Sequence, residues 1–218
     1  MSSNAKILMN VSDIASNELK SAAITLFQTF ENDPLINWIF HDKALYQQNG
    51  EALFQTWVKY CVLYGKAFKT PNFESIALRK CPGDSKSSLW RMFRAGMFKT
   101  PSLIGKAGFK RLLQFDALSI AERQKNMGNR LFWYCWLLGT QPQHQNQGFA
   151  TALINHTFAL ANDVPCYLEA TNEKSLAIQL KNGYKILSSF TLPDSNIQIY
   201  AMLLKNPMEA LGKTNGAS

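Results

Sequence analysis

Leu138-Gly139-Thr140-Gln141-Pro142-Gln143-His144-Gln145-Asn146-Gln147-Gly148-Phe149-Ala150-Thr151 is the stretch on which the reading of this chain turns. The run before it, Leu131 to Thr140, is aromatic and aliphatic and long enough for a buried strand. A polar loop follows, and a helix opens at Gln147-Gly148 and continues to about residue 162. Phe149, Ala152, Leu153, His156 and Leu160 fall on one stripe of that helix. Backbone N–H groups at a helix start have no partner inside the helix and carry partial positive charge. Gly148 and Ala150 remove side-chain bulk where an anion would approach them, so the sequence predicts a main-chain phosphate cradle. The loop lacks the GxGxxG of a dinucleotide-binding turn and the Gly-Lys-Ser/Thr of a Walker loop, which excludes both.

Downstream, Val164 to Thr171 reads as a strand, 174–182 as a helix stopped by Gly183, and 184–191 and 196–204 as strands. Upstream, helices are expected at about 20–31 and 48–64, separated by Asp33-Pro34 and the short apolar stretch Leu35 to Phe40. Gly65 stops the second helix. Strands follow at about 66–70 and 75–80, then the break Cys81-Pro82-Gly83-Asp84, then helical stretches at about 85–98 and 105–125. The expectation is one α/β domain over residues 1–207, a mixed sheet flanked by helices with a basic helical insertion at about 84–127 between strands 3 and 4. Residues 208–218 read as a disordered tail.

Composition narrows the class. The chain has 218 residues, 46% of them hydrophobic, enough for a sizeable core. No run of about 18 apolar residues appears, and the start has no secretory apolar core, so a cytoplasmic protein with no membrane partner is expected. Cys61, Cys81, Cys135 and Cys166 show no metal-like spacing, and His41, His144 and His156 are scattered, so no metal is expected and buried reduced thiols are. Nine basic residues lie between Arg79 and Arg111 (Arg79, Lys80, Lys86, Arg91, Arg94, Lys99, Lys106, Lys110 and Arg111) against Asp84 alone, which accounts for the formal charge of +8. Such a run reads first as a solvated helix face, and second as a surface for nucleic acid or another anion. Trp133, Tyr134 and Trp136 read as strand core, since nothing basic interleaves them.

The motif Gln145-x-x-Gly148-x-Ala150, after a strand ending Leu138-x-Thr140-x-Pro142, resembles the Q/R-x-x-G-x-G/A signature of the GNAT superfamily of N-acetyltransferases. Tyr167-Leu168-Glu169-Ala170-Thr171-Asn172-Glu173-Lys174 and Leu180-Lys181-Asn182-Gly183-Tyr184 resemble the branch that includes puromycin N-acetyltransferase. Asp33-Pro34 with Trp38 and Phe40, and Ala77-Leu78 before Pro82-Gly83, follow the same layout, so the likeness covers roughly residues 20–205. It implies acetyl-CoA as acetyl donor and a small-molecule or peptide amine as acceptor, with no nucleic acid partner. The main chain of Leu138 and Thr140 would hold the pantetheine arm, and the Leu138 N–H would also stabilise the carbonyl oxygen as it gains charge. The N–H groups of Gln145, Asn146, Gln147, Gly148, Phe149 and Ala150, with the Thr151 hydroxyl, would hold the pyrophosphate. Asn172 and Ser175 would touch the cofactor arm, and the acceptor pocket would come from about 30–47 and the insertion.

The chain departs from the pattern where the chemistry happens. No Glu stands on the fourth strand, so Glu169 on the fifth is the nearest candidate base. Ile178-Gln179 replaces the Phe-Tyr whose tyrosine protonates the departing thiolate, and Ser175 replaces an Asn. An amide is no proton donor of that kind. The expected activity is N-acetyl transfer to a primary amine by direct attack on the thioester. The alternative is a CoA- or acyl-CoA-binding sensor with weak or no catalysis, and a nucleic-acid-associated protein ranks below both.

Overall fold

The computed structural model describes residues 10–84 and 88–216. Residues 1–9, 85–87 and 217–218 lie outside it, and with them the chain start, Lys86 of the basic run and the last two residues of the expected tail.

The chain opens with a two-residue strand, β1 (Ser12–Asp13), and a helix, α1 (Leu19–Phe30), whose Ala22, Ala23 and Leu26 are fully buried. Asp33-Pro34 does more than separate two helices: it starts one of its own. In α2 (Pro34–Phe40) proline occupies the first turn, where its missing N–H costs nothing, and the Asp33 carboxylate accepts from the Ile36 N–H. Helix α3 (Lys43–Tyr64) begins five residues before the expected start because Asp42 caps it through the Ala44 and Leu45 N–H groups. Gly65 ends it where a Cβ would stand 2.3 Å from the Arg79 carbonyl oxygen.

Strands β2 (Lys66–Lys69) and β3 (Ser75–Lys80) form an antiparallel hairpin. The insertion holds α4 (Leu89–Ala95), a 3₁₀ turn at Met97–Lys99 and α5 (Thr100–Met127), the last kinked at Gly105, where φ is 71°. There follow β4 (Trp133–Thr140), α6 (Phe149–Ala161), β5 (Cys166–Ala170), α7 (Glu173–Lys181), β6 (Lys185–Thr191) and β7 (Gln198–Leu204). The expected disordered tail is instead a helix up to Gly216, α8 (Pro207–Gly216), and Ala210 and Leu211 pack against the core beside α6. An apolar pair at one end suffices to dock a segment whose composition alone looks unstructured.

The strands make one seven-stranded sheet in the order β1-β2-β3-β4-β5-β7-β6, and every pairing is antiparallel except β4 with β5. The largest core cluster lies between the sheet and α1–α3, with Leu53, Phe54, Val58, Ile76 and Leu78 fully buried; a second packs α6 on the other face through Ile154 and Phe158. At Gly139 a Cβ would come 3.0 Å from Thr29 and 3.1 Å from Leu26, so only glycine lets α1 lie this close to β4.

Candidate active site

The parallel pair β4–β5 joins only at Trp133 with Cys166 and Tyr134 with Tyr167. Beyond that point β4 stays on β3 up to Thr140 while β5 stays on β7 up to Ala170, so the two strands part like a V. A bulge accompanies the parting: Leu78 pairs Leu137 and Arg79 pairs Cys135, leaving Trp136 as the extra residue. Alternate residues of a strand present their main-chain groups to opposite edges. The Leu137 and Gly139 carbonyls are bound by Arg79 Nη1 (2.8 Å) and Ser75 Oγ (2.9 Å) of β3. Those of Leu138 and Thr140 therefore face the edge that β5 has left.

The loop after β4 folds as a 3₁₀ turn, Pro142–His144, and then turns into α6. Asn146 (φ 62°) and Gly148 (φ 86°) are both left-handed, and no side chain caps α6. The N–H groups of its first turn, at Phe149, Ala150 and Thr151, are thus left to a ligand or solvent. Gln145 departs from expectation. Its N–H bonds Pro142 O at 3.4 Å, its Nε2 donates to Thr140 O at 3.3 Å, and Lys174 Nζ donates to its Oε1. Gln147 Nε2 holds the Gln143 carbonyl at 3.0 Å. Both glutamines shape the loop through their side chains.

Asn172 and Ser175 also have structural employment. Asn172 Oδ1 caps α7 by accepting from the Ser175 N–H at 2.8 Å, and Asn172 Nδ2 donates to Asp33 Oδ2 at 3.0 Å, as does Thr171 Oγ1. Asp33 is buried and so caps α2 with one oxygen while holding the β5–α7 turn with the other. Burial raises its pKa despite those three donors. This clasp closes one end of a cleft of about 780 Å³ that takes in the V, the loop and the acceptor-side helices.

The cleft floor carries Glu169, the candidate base, and its environment is crowded. Ser119 Oγ donates to it at 2.9 Å, Tyr134 Oη donates to its other oxygen, and Arg123 Nη1 lies 3.6 Å away. Burial raises the Glu169 pKa against the pull of Arg123, Tyr134 and Ser119. The Arg123 guanidinium also lies 4.2 Å over the Tyr134 ring. Tyr134 is buried, but its hydroxyl makes it part of this polar network, which its reading as strand core does not include.

A second carboxylate, absent from the sequence reading, faces the cleft from α5. Asp116 reaches solvent through the cleft and makes no hydrogen bond among the described residues, while crowding by protein atoms raises its pKa. Lys80 and Arg123 pull it the other way. Met97, Leu112 and Phe115 of the insertion, with Pro34 to Ile36, Ile39 and Trp57, complete this wall. In sequence Asp116 is one acid on an amphipathic helix, and only the spacing Leu112-Phe115-Asp116 hinted that it shares a face with inward residues.

Two members of the basic run do not lie on a solvated helix face. Arg79 is 2% exposed and bonds Thr157 Oγ1 at 3.1 Å and the Leu78 and Leu137 carbonyls. Lys80 Nζ lies among Trp136, Tyr60 and Tyr134, at 4.2, 5.5 and 5.7 Å from their ring centroids, and burial lowers its pKa. Both stand on β3, which is buried on both faces of the sheet up to Arg79 and leaves Lys80 half-buried at its end. At the far end Gln179 is 6% exposed, and its Oε1 is buried without a hydrogen-bond partner. Tyr184 Oη lines the same end, 3.6 Å from Cys135 Sγ.

No protein-family model matches the chain. An uncharacterized N-acetyltransferase of Schizosaccharomyces pombe is 22% identical over 94% of this chain and 91% of its own length. A Corynebacterium glutamicum structure named histone acetyltransferase HPA2 and related acetyltransferase aligns with TM-score 0.64 and 20% identity, covering 91% of this chain and 96% of that one. The Drosophila melanogaster polyamine N-acetyltransferase aligns with TM-score 0.65 and 13% identity, covering 90% and 99%. These similarities do not specify the puromycin N-acetyltransferase branch. With the split strands, the uncapped helix start and the motif that joins them, these likenesses show that the chain shares the fold of those acetyltransferases.

Proposed function

We propose that the chain transfers the acetyl group of acetyl-CoA to a primary amine, and that Asp116 is the group that receives the amine. The observation that carries this reading is the position of Asp116. It is a carboxylate open to the cleft, on the acceptor-side wall, with no hydrogen bond among the described residues.

The donor site fits its group. The edge of β4 left by β5 offers the main chain of Leu138 and Thr140 to an amide-bearing arm, and the first turn of α6 offers three N–H groups to a pyrophosphate. Acetyl-CoA brings a thioester, which an amine attacks without further activation. The protein must supply a free amine, a donor to the carbonyl oxygen and a route for the proton.

An ammonium has no lone pair, so Asp116 both attracts the protonated acceptor and takes its proton. Glu169 is the weaker candidate for that work, because Ser119, Tyr134 and Arg123 already hold its two oxygens. It fixes Tyr134 and Arg123 on the floor instead. The Leu138 N–H would stabilise the carbonyl oxygen as it gains charge. Tyr184, kept protonated by burial, is the hydroxyl at the thiol end of the cleft and stands in for the tyrosine that Gln179 replaces. Support for a small acceptor comes from the concave cleft of about 780 Å³ and from the Drosophila neighbour, which is named for polyamines. The sensor reading is not favoured, since the relatives are named as acetyltransferases.

The test is thiol release from acetyl-CoA over a panel of primary amines and peptide N-termini, with the acetylated amine identified by mass. Turnover with a small amine is expected. Saturable acetyl-CoA binding with no transfer to any amine would restore the sensor reading.

A further inference from the structure

Helix α4 and the 3₁₀ turn after it carry four exposed large apolar side chains, including the two most exposed of the described residues. Leu89 is 83% exposed, Trp90 64%, Phe93 55% and Phe98 57%. They are contiguous. Trp90 stacks on Phe93 with ring centroids 5.9 Å apart and 17° between planes, and Phe93 stacks on Phe98 at 5.1 Å and 28°. A water-facing ladder of three rings with a leucine beside it is costly to keep exposed unless something covers it.

Its electrostatic setting is one-sided. From Ser88 to Phe115 the chain has six basic residues and no acidic one. Arg91 is used locally, pairing with Asp84 and lying 5.2 Å over Tyr64. Arg94, Lys99, Lys106 and Lys110 are exposed and form no ion pair among the described residues. Lys99 Nζ sits 6.0 Å over Phe98, at the edge of the ladder.

We propose that this face docks the protein on an anionic lipid bilayer, with Trp90, Phe93, Phe98 and Leu89 entering the headgroup boundary and Arg94, Lys99, Lys106 and Lys110 meeting the lipid phosphates and carboxylates. Charge decides against a second copy, because an isologous dimer through this patch would set cation against cation. The rings decide against single-stranded nucleic acid: they already spend faces on one another, and the most exposed member, Leu89, has no face to stack on a base. Hydrocarbon takes ring edges and an aliphatic chain equally well, and Trp with flanking Arg and Lys suits the interfacial layer. The helix lies in the surface; no helix among the described residues is long and apolar enough to cross the bilayer. The patch joins the acceptor wall through Met97, which lines the cleft next to Phe98, so docking sets the acceptor end of the site at the membrane. The proposal does not depend on acetyl transfer.

The test is co-sedimentation of the full chain with vesicles of phosphatidylcholine alone and with about 30% phosphatidylserine, at low and at roughly 0.5 M salt. Retention is expected only on the anionic vesicles and is lost in high salt. The variants W90S/F93S/F98S and R94E/K99E should each lower the partition coefficient about tenfold or more. The single variant W90S gives a milder form of the same loss, and acetyl-CoA thermal shifts confirm that each variant is folded. Equal retention on neutral vesicles, or none on either, overturns the proposal. So does a dimer in sedimentation velocity that W90S/F93S/F98S dissolves, or tighter binding to single-stranded RNA than to anionic vesicles.

Discussion

The two walls of the cleft are built in opposite ways. The wall proposed for the donor is main chain: a strand edge, two left-handed loop residues and the uncapped start of α6, all within residues 138–151. The wall proposed for the acceptor and the floor beside it are side chain: Asp116 from α5, with Glu169 from β5 and Tyr134 from β4 on the floor, brought together across more than fifty residues of sequence. A wall made of backbone depends on conformation, and one made of side chains depends on identity and charge. Substitutions should therefore separate binding of the donor from reaction of the acceptor.

The largest expected effect falls on the acceptor wall. Asp116→Asn keeps the shape and removes the proton acceptor, so kcat/KM should fall about 100-fold or more while acetyl-CoA affinity stays within twofold or so. The wild-type rate should rise with pH as the Asp116 carboxyl, held above its usual 3.8, loses its proton, and the variant should lack that acid limb. Asp33→Ala should come next, since it uncaps α2 and releases Thr171 and Asn172 together. A loss of about 2–3 kcal/mol in denaturant unfolding is expected, against the gain from removing a buried carboxylate. On the donor wall, Gly148→Val forces a branched residue to φ 86° and should weaken acetyl-CoA binding about tenfold in a calorimetric titration, with little change in kcat for bound donor.

The smallest effect is a pH-linked one. The folded-state pKa of Glu169 is raised above the usual 4.5, so its protonated form is the one that folding favours. Its contribution is present below about pH 4.5 and is lost as pH rises through the raised value. The thermal stability of the wild type relative to Glu169→Gln should accordingly be greatest in acid and shrink towards neutral pH.

The same contrast explains what could be read in the sequence. The donor wall is contiguous, and a strand, a polar loop and a helix start leave a local pattern, so the motif from Leu138 to Thr151 could be read directly. The limits of β4, α6 and β5 followed to within a few residues. Gln145 is the exception inside it, because side-chain bonds to Thr140 and Lys174 are invisible in a motif. Asp116 left no local sign, being one polar residue on a helix that has many. Arg79 and Lys80 were counted with the exposed cations because a charge tally ignores that they end a strand buried on both faces. Asp33-Pro34 looked like a breaker, and what turns it into the start of α2 and a clasp is a turn 138 residues away. The two-residue β1 and the docked α8 owe their order to neighbours remote in sequence.

The most direct test is a calorimetric titration of acetyl-CoA into the wild-type chain, Gly148→Val and Asp116→Asn under one set of conditions. Saturable one-site binding is expected for the wild type, unchanged in Asp116→Asn and about tenfold weaker in Gly148→Val. No saturable heat with the wild-type chain, or equal affinity in all three, would contradict a donor site built from the strand edge and the start of α6.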